Sequence, residues 1–98
     1  MIYELNGTYV LERLDVDEVI SDNKTDDVER IEGSMYQLIS VVVEREVLGF
    51  DKYNPEPRVI LTFETYGHMF SVPHKAVSIR QIHDDKVRII KDGRIIEL

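Results

Sequence analysis

The sequence predicts a mainly β protein: a small antiparallel barrel or meander of about seven strands, forming a single domain over residues 1–98. Three observations favour this class: runs of β-branched residues, apolar alternation of period two, and turns rich in glycine or proline. With 98 residues and 43% apolar residues, the chain can bury one packed core. We divide it into an opening hairpin at 1–13, an acidic excursion at 14–34 and a β body at 35–98.

The opening hairpin is predicted from Asn6-Gly7. This dipeptide suits a two-residue type I′ turn, because both central positions of that turn need positive φ. Segments with strand-forming residues flank it at 2–5 and 8–13. We therefore expect these two segments to pair with one another.

The acidic excursion is the least apolar part of the chain, and residues 12–32 include nine acidic and three basic residues. Two pairs of acidic residues have the spacing of a helix N-cap and its third helical residue, Asp15 with Glu18 and Asp26 with Glu29. We expect an acidic loop or short helix near residues 15–33. Local disorder is the alternative, because few apolar groups are available there to offset the entropy of ordering.

The β body begins with the strongest predicted strand, at 35–48, whose centre is dominated by β-branched residues. Alternation over 59–65 predicts a half-buried strand, and we expect Phe63 and Phe70 in the core. Tyr66-Gly67 is predicted to turn the chain into a strand at 68–72.

The last third of the chain is predicted to hold a strand that begins near Val77 and a terminal hairpin. That hairpin would join 87–90 to 94–98 through Asp92-Gly93. Both of its faces would carry apolar residues, which indicates either a sandwiched position or an interface.

The stretch from Gly67 to Ile79 resembles the end of an SH3-like barrel. In that family an apolar residue and a proline lead through a single 3₁₀ turn into a last strand that begins with valine, as Val72, Pro73 and Val77 do here. The resemblance covers 13 of the 98 residues and implies a small-barrel fold. The family has an aromatic residue in this turn that helps to bind proline-rich peptides, and this chain has Ala76, so peptide binding is not carried over.

The composition excludes several classes of chemistry. There is no cysteine, which rules out disulfides, thiolate metal sites and cysteine nucleophiles. The first residues lack the pattern of a signal peptide, and no apolar run is long enough to span a membrane. We therefore expect a cytoplasmic protein without a membrane partner.

We predict no catalytic residues, no cofactor and no metal site, and therefore no enzyme. The three histidines, His68, His74 and His83, match no compact metal-binding motif, although His83 precedes two aspartates. The serines lack a nucleophile elbow, and there is no glycine-rich phosphate loop.

The charge distribution points to a partner instead. The formal net charge is −7, concentrated in the acidic excursion, whereas residues 75–94 include six basic and three acidic residues. We predict a non-enzymatic protein-binding module, such as an inhibitor or adaptor, that acts through an acidic surface. The predicted contact residues are Asp22, Asp26, Asp27, Glu29 and Tyr53.

Other interpretations stay open. The acidic residues can be a plain solvated loop, or their carboxylates can imitate nucleic-acid phosphates. A structural protein could form homo-oligomers by joining its acidic and basic faces head to tail. A nucleic-acid-binding barrel would use the basic residues of the last third, which are Lys75, Arg80, Lys86, Arg88, Lys91 and Arg94. A small viral assembly protein or inhibitor would suit such a chain, although no motif indicates that context.

Overall fold

The structure is a computed structural model that describes residues 2–23, 32–44, 58–82 and 94–98. Within these residues the chain is mainly β, and its strands form two antiparallel sheets. Helical structure in the same ranges is limited to two single 3₁₀ turns. No helix in the described ranges is long and apolar enough to cross a membrane.

The strands follow one another in the described chain as β1 Ile2–Glu4, β2 Thr8–Leu14, β3 Ser21–Asp22, β4 Met35–Glu44, β5 Arg58–Thr65, β6 His68–Pro73, β7 Val77–Gln81 and β8 Ile95–Glu97. The first 3₁₀ turn, Val16–Glu18, lies between β2 and β3, and the second, His74–Ala76, lies between β6 and β7. One sheet pairs β1 with β8. The other has the order β3-β6-β5-β4-β2-β7.

The prediction of a small antiparallel β fold is confirmed, but a closed barrel is not detected. Among the described residues the larger sheet ends at β3 on one side and at β7 on the other. These two edge strands are not hydrogen-bonded to one another there.

The predicted opening hairpin is wrong, because β1 pairs with β8 instead of β2. A turn does occur, one residue earlier than expected: the Gly7 amide donates to the Glu4 carbonyl at 3.1 Å, and Asn6 takes a φ of 63°. Asn6 and Gly7 then exchange backbone hydrogen bonds with Leu38 of β4. The residues that follow the turn therefore pair with β4, and β1 does not pair with β2.

The C-terminal strand is confirmed as β8, although its predicted partner at 87–90 and the Asp92-Gly93 turn lie outside the described residues. Antiparallel pairing with β1 places Ile96 opposite Tyr3, whose ring is buried. Ile95 is 60% exposed. This strand therefore has one inward and one outward apolar side chain.

The core lies under β5 and β6, where the predicted alternation is confirmed. Val59, Leu61 and Phe63 are buried on β5, and Phe70 and Val72 are buried on β6. The two phenylalanine rings stack with centroids 5.4 Å apart and are fully buried. Burying two such rings and their aliphatic neighbours stabilises the sheet, since each side chain contributes about 1.5–3 kcal/mol.

Two β-bulges decide which residues face this core. β4 has Ile39 as an extra residue opposite β5, so the inward position shifts from Leu38 to Val41. β2 has one extra residue opposite β7, so the buried positions shift from Leu11 to Leu14. A bulge adds a residue to one strand and reverses its alternation. Simple period-two counting along β2 or β4 would therefore assign the residues beyond each bulge to the wrong face.

A tight hairpin joins β5 to β6, as predicted. Thr65 pairs with His68, which leaves Tyr66 and Gly67 as a two-residue loop. Both loop residues have positive φ, 45° at Tyr66 and 79° at Gly67. Such a loop matches the twist of the strands but strains any residue with a bulky side chain.

Replacing Tyr66 by asparagine should stabilise the protein by about 1 kcal/mol. Asparagine tolerates the left-handed region better than tyrosine, and the Tyr66 side chain is 100% exposed, so no packing is lost. Urea unfolding followed by circular dichroism measures the change in free energy of unfolding. Tyr66→Phe is the matched control and should leave stability unchanged. A Tyr66→Asn variant no more stable than the wild type would contradict the assignment of strain to this loop.

Candidate functional site

The first part of the acidic excursion lies along β6 and the second 3₁₀ turn. The Asp15 amide donates to the Ala76 carbonyl at 2.8 Å, and the Ile20 amide donates to the Ser71 carbonyl at 2.8 Å. β3 then pairs with β6 at the edge of the larger sheet. Residues 15–22 are therefore held at both ends by backbone hydrogen bonds.

The spacing of Asp15 and Glu18 correctly predicts a short helical turn. Asp15 is the N-cap of the first 3₁₀ turn, and its Oδ1 accepts a hydrogen bond from the Asp17 amide at 3.2 Å. The Glu18 amide bonds to the Asp15 carbonyl at 3.1 Å. All three carboxylate residues are exposed. The turn therefore presents a fixed group of negative charges to solvent.

The acidic excursion returns to the sheet beside β2. Gly33 has a φ of 81°, and its amide donates to the Leu11 carbonyl at 2.7 Å. The Leu11 amide in turn donates to Ser34, and Glu32 Oε1 accepts from the Leu14 amide at 3.0 Å. The base of the excursion is therefore closed by hydrogen bonds. The predicted second helical turn at residues 26–29 and the alternative of local disorder around it lie outside the described residues.

A surface groove of about 490 Å³ lies where the two 3₁₀ turns meet the start of β5. Its lining residues are Asp15, Glu18, Arg58, Val59, Pro73, His74, Lys75 and Ala76. Val59 and Pro73 are buried and supply apolar surface at its base. We call this feature the 3₁₀ groove.

The charges around the 3₁₀ groove are divided by sign. Asp15 and Glu18 come from the acidic excursion, whereas Arg58 and Lys75 come from β5 and the second 3₁₀ turn, and all four are exposed. Partial burial, with the neighbouring Lys75 charge, lowers the pKa of His74 below 6.5, so its imidazole is neutral at pH 7. The groove can therefore hold an apolar group while its acidic side receives a cation.

A buried polar chain ties the acidic excursion to the core. Asp22 Oδ1 lies 2.8 Å from His68 Nε2, and His68 Nδ1 lies 3.0 Å from the Tyr36 hydroxyl. The side chains of Asp22 and His68 are 8% and 10% exposed, and Tyr36 is 4% exposed. Phe70 packs against both rings, with centroids 5.2 Å from Tyr36 and 5.6 Å from His68.

The donor and acceptor of each hydrogen bond between Asp22, His68 and Tyr36 follow from the donor and acceptor capacity of the three side chains. An ionised carboxylate only accepts, so His68 Nε2 bears the proton that bonds to Asp22. In the neutral imidazole Nδ1 is then an acceptor, and the Tyr36 hydroxyl donates to it. Burial and the Asp22 charge raise the pKa of Tyr36 above 10, so the phenol keeps its proton. The hydrogen bonds from Asp22 through His68 to Tyr36 therefore link β3 to the core, and both imidazole nitrogens of His68 take part in them.

The structure describes one of the five predicted contact residues. Asp22 belongs to the buried hydrogen-bonded group of Asp22, His68 and Tyr36, so little of its carboxylate is accessible to a partner protein. The other four, Asp26, Asp27, Glu29 and Tyr53, lie outside the described residues, so the prediction for them stays a prediction. The carboxylates that the structure places at a groove are Asp15 and Glu18.

Of the remaining charged and metal-binding candidates, the structure describes only some. Arg80 is exposed and lies 3.2 Å from Glu12, forming an ion pair across β7 and β2. Lys86, Arg88 and Lys91 lie outside the described residues, as does His83. Within the part of the chain that is described, no three histidine, aspartate or glutamate residues are grouped to hold a metal ion.

Sequence reasoning missed His68 as the partner of Asp22, and Tyr36 as the partner of His68. The available signal was period two: His68 alternates with Phe70 and Val72, the inward residues of β6.

A search against family models, curated proteins and solved structures finds no match for this chain.

Replacing Tyr36 by phenylalanine should reduce the free energy of unfolding by about 1–2 kcal/mol. The change keeps the ring but leaves His68 Nδ1 buried without its donor. Urea denaturation at pH 7 measures the loss. Tyr66→Phe, which removes a fully exposed hydroxyl, is the control and should have no effect. A Tyr36→Phe variant of wild-type stability would show that the hydroxyl contributes nothing.

The stability of the protein should depend on His74 at mildly acidic pH. Because its pKa is lowered in the folded state, the unfolded chain binds the proton more readily, and stability falls as pH drops below about 6.5. His74→Gln should flatten this part of the profile. Urea midpoints measured between about pH 7.5 and pH 5 test this. Parallel wild-type and variant profiles would rule out a contribution from His74.

Proposed function

We propose that this chain is a non-enzymatic protein-binding module whose 3₁₀ groove receives a basic and apolar segment of a partner protein. The observation that carries the proposal is the groove of about 490 Å³ with Asp15 and Glu18 beside it. An inhibitor or an adaptor would both use such a site. A concave site with apolar surface and a few placed polar groups is the usual form of a ligand-binding pocket.

The acidic side of the groove is supported by its preorganisation. Asp15 and Glu18 belong to a 3₁₀ turn fastened by the Ala76 carbonyl. Fixed carboxylates lose little conformational freedom on binding, so more of the interaction is available for affinity. The net charge of −7 would also speed the approach of a basic partner.

Exposed apolar side chains occur in the same segment as these carboxylates. Val16 and Ile20 are 48% and 45% exposed, and both belong to the acidic excursion. A partner segment that carries both cations and apolar groups would therefore find both kinds of contact. This favours a protein partner over a purely ionic one.

We further propose that the fold is an SH3-like small barrel. Support comes from the link between β6 and β7, where Val72 and Pro73 lead through the second 3₁₀ turn into Val77, the first residue of β7. Ala76 gives the groove a methyl group where that family has an aromatic ring. The partner segment would therefore be recognised more by charge than by ring stacking, and the fold itself does not define the function.

A random twelve-residue peptide display library, screened with the full chain, tests the proposed function. We expect enrichment of peptides that contain arginine or lysine beside apolar residues. For the best synthetic peptide, Asp15→Asn with Glu18→Gln should weaken binding about tenfold, because two partly exposed charge contacts are lost. Isothermal titration calorimetry at two salt concentrations measures this, and the double variant should show the smaller salt dependence.

Asp17→Asn is the matched control, because Asp17 is exposed in the same 3₁₀ turn but does not line the groove. Asparagine at position 15 preserves the N-cap, so the turn should persist. Equal binding by the wild type and the folded double variant would contradict the proposal. So would enrichment of acidic peptides, or tight binding of an oligonucleotide in place of a peptide.

A further inference from the structure

The central part of the outer face of β4, β5 and β6 carries no charged residue, in a chain that is 32% charged. On β5 the inward residues Val59, Leu61 and Phe63 are buried, which puts the even-numbered residues on the other face. Strand register then places their neighbours on β4 and β6 beside them. We call this surface the outer sheet face.

The outer sheet face consists of four rows that cross the strands. The register defines them as Glu44 with Arg58, then Val42 with Ile60 and Pro73, then Ser40 with Thr62 and Ser71, and finally Gln37 with Glu64 and Met69. A hydroxyl row and an aliphatic row therefore lie at the centre, and the aliphatic row offers Val42 and Ile60 because Pro73 is already buried beside the 3₁₀ groove. Charged residues occur only in the two end rows.

We propose that this face binds a second copy of the chain as a two-fold symmetric dimer. Arg58 and Glu64 lie three residues on either side of Leu61 along β5. A two-fold axis that crosses the strands at Leu61 reverses the order of the rows. It therefore sets Arg58 of each copy opposite Glu64 of the other, since a two-fold contact uses the same patch twice.

The central rows fit the same arrangement. The axis places the aliphatic row of one copy over the hydroxyl row of the other. Thr62 Oγ1 and Ser71 Oγ already bond to one another at 2.8 Å, so each of these oxygens keeps a hydrogen-bond partner when apolar groups cover the row. The alternative axis, parallel to the strands, would bring Arg58 against Arg58 and is disfavoured by like charge.

The net charge of the protein also favours this face over its other surfaces as the site of self-association. Two copies of net charge −7 repel one another, and the acidic excursion borders the larger sheet at β3. Contact at a face whose central rows are uncharged minimises that repulsion. The outer sheet face spans about 20 Å along β5, which is small for a stable interface, so we expect a dissociation constant of about 100 µM.

Sedimentation equilibrium of the full chain up to about 1 mM tests the dimer. Arg58→Glu and Glu64→Arg, each made alone, should weaken self-association at least tenfold because like charges then face one another. An equimolar mixture of these two variants should restore dimers of wild-type affinity, because both contacts in the mixed pair are again opposite in charge. Arg13→Glu is the control for Arg58→Glu, since it changes net charge by the same amount at an exposed position on β2.

Misfolded variants could not form dimers when mixed. Restored dimerisation would therefore show that the single variants lose an interface contact and not their stability. A wild type that stays monomeric throughout the range would overturn the proposal. So would single variants that dimerise like the Arg13→Glu control, or a mixture that remains monomeric. Arg58 also lines the 3₁₀ groove, so peptide binding is measured with the Asp15 and Glu18 variants, which leave the outer sheet face unchanged, and the two proposals can fail independently.

Discussion

The hydrogen bonds that join the acidic excursion to β6 are the interaction on which the candidate site depends. They begin at Ile20, continue through β3 and end at Asn23, whose side chain bonds to Gly67 and Met69. Because this edge is fixed, Asp15 and Glu18 stand beside the second 3₁₀ turn and form one side of the groove. Without that attachment their charges would belong to an unconstrained loop.

The buried chain of Asp22, His68 and Tyr36 gives this attachment its specificity. A carboxylate removed from water needs donors, and a shifted pairing of β3 would separate Asp22 from the imidazole. Phe70 packs against the two rings of the chain and excludes solvent from them. The polar chain therefore selects one register for a strand of only two residues.

Local pattern predicted much of the fold and part of the site. Period-two alternation identified β5 and β6, and the Asp15–Glu18 spacing identified the first 3₁₀ turn. The Asn6-Gly7 signal was correct about a turn and wrong about pairing, because a turn sequence does not specify which strand lies alongside. Asp22 resembled its acidic neighbours because its partner His68 is 46 residues away in sequence.

The sequence by itself determined the mainly β class, the inward residues of the regular strands, and the concentration of negative charge in one segment. These depend on side-chain period and local backbone preference, which neighbouring residues carry. Only the tertiary structure decided the strand order, the pairing of β1 with β8, the two bulges and the 3₁₀ groove. Each of these depends on contacts between segments far apart in sequence, where packing and hydrogen-bond satisfaction of the whole sheet select among locally equivalent arrangements.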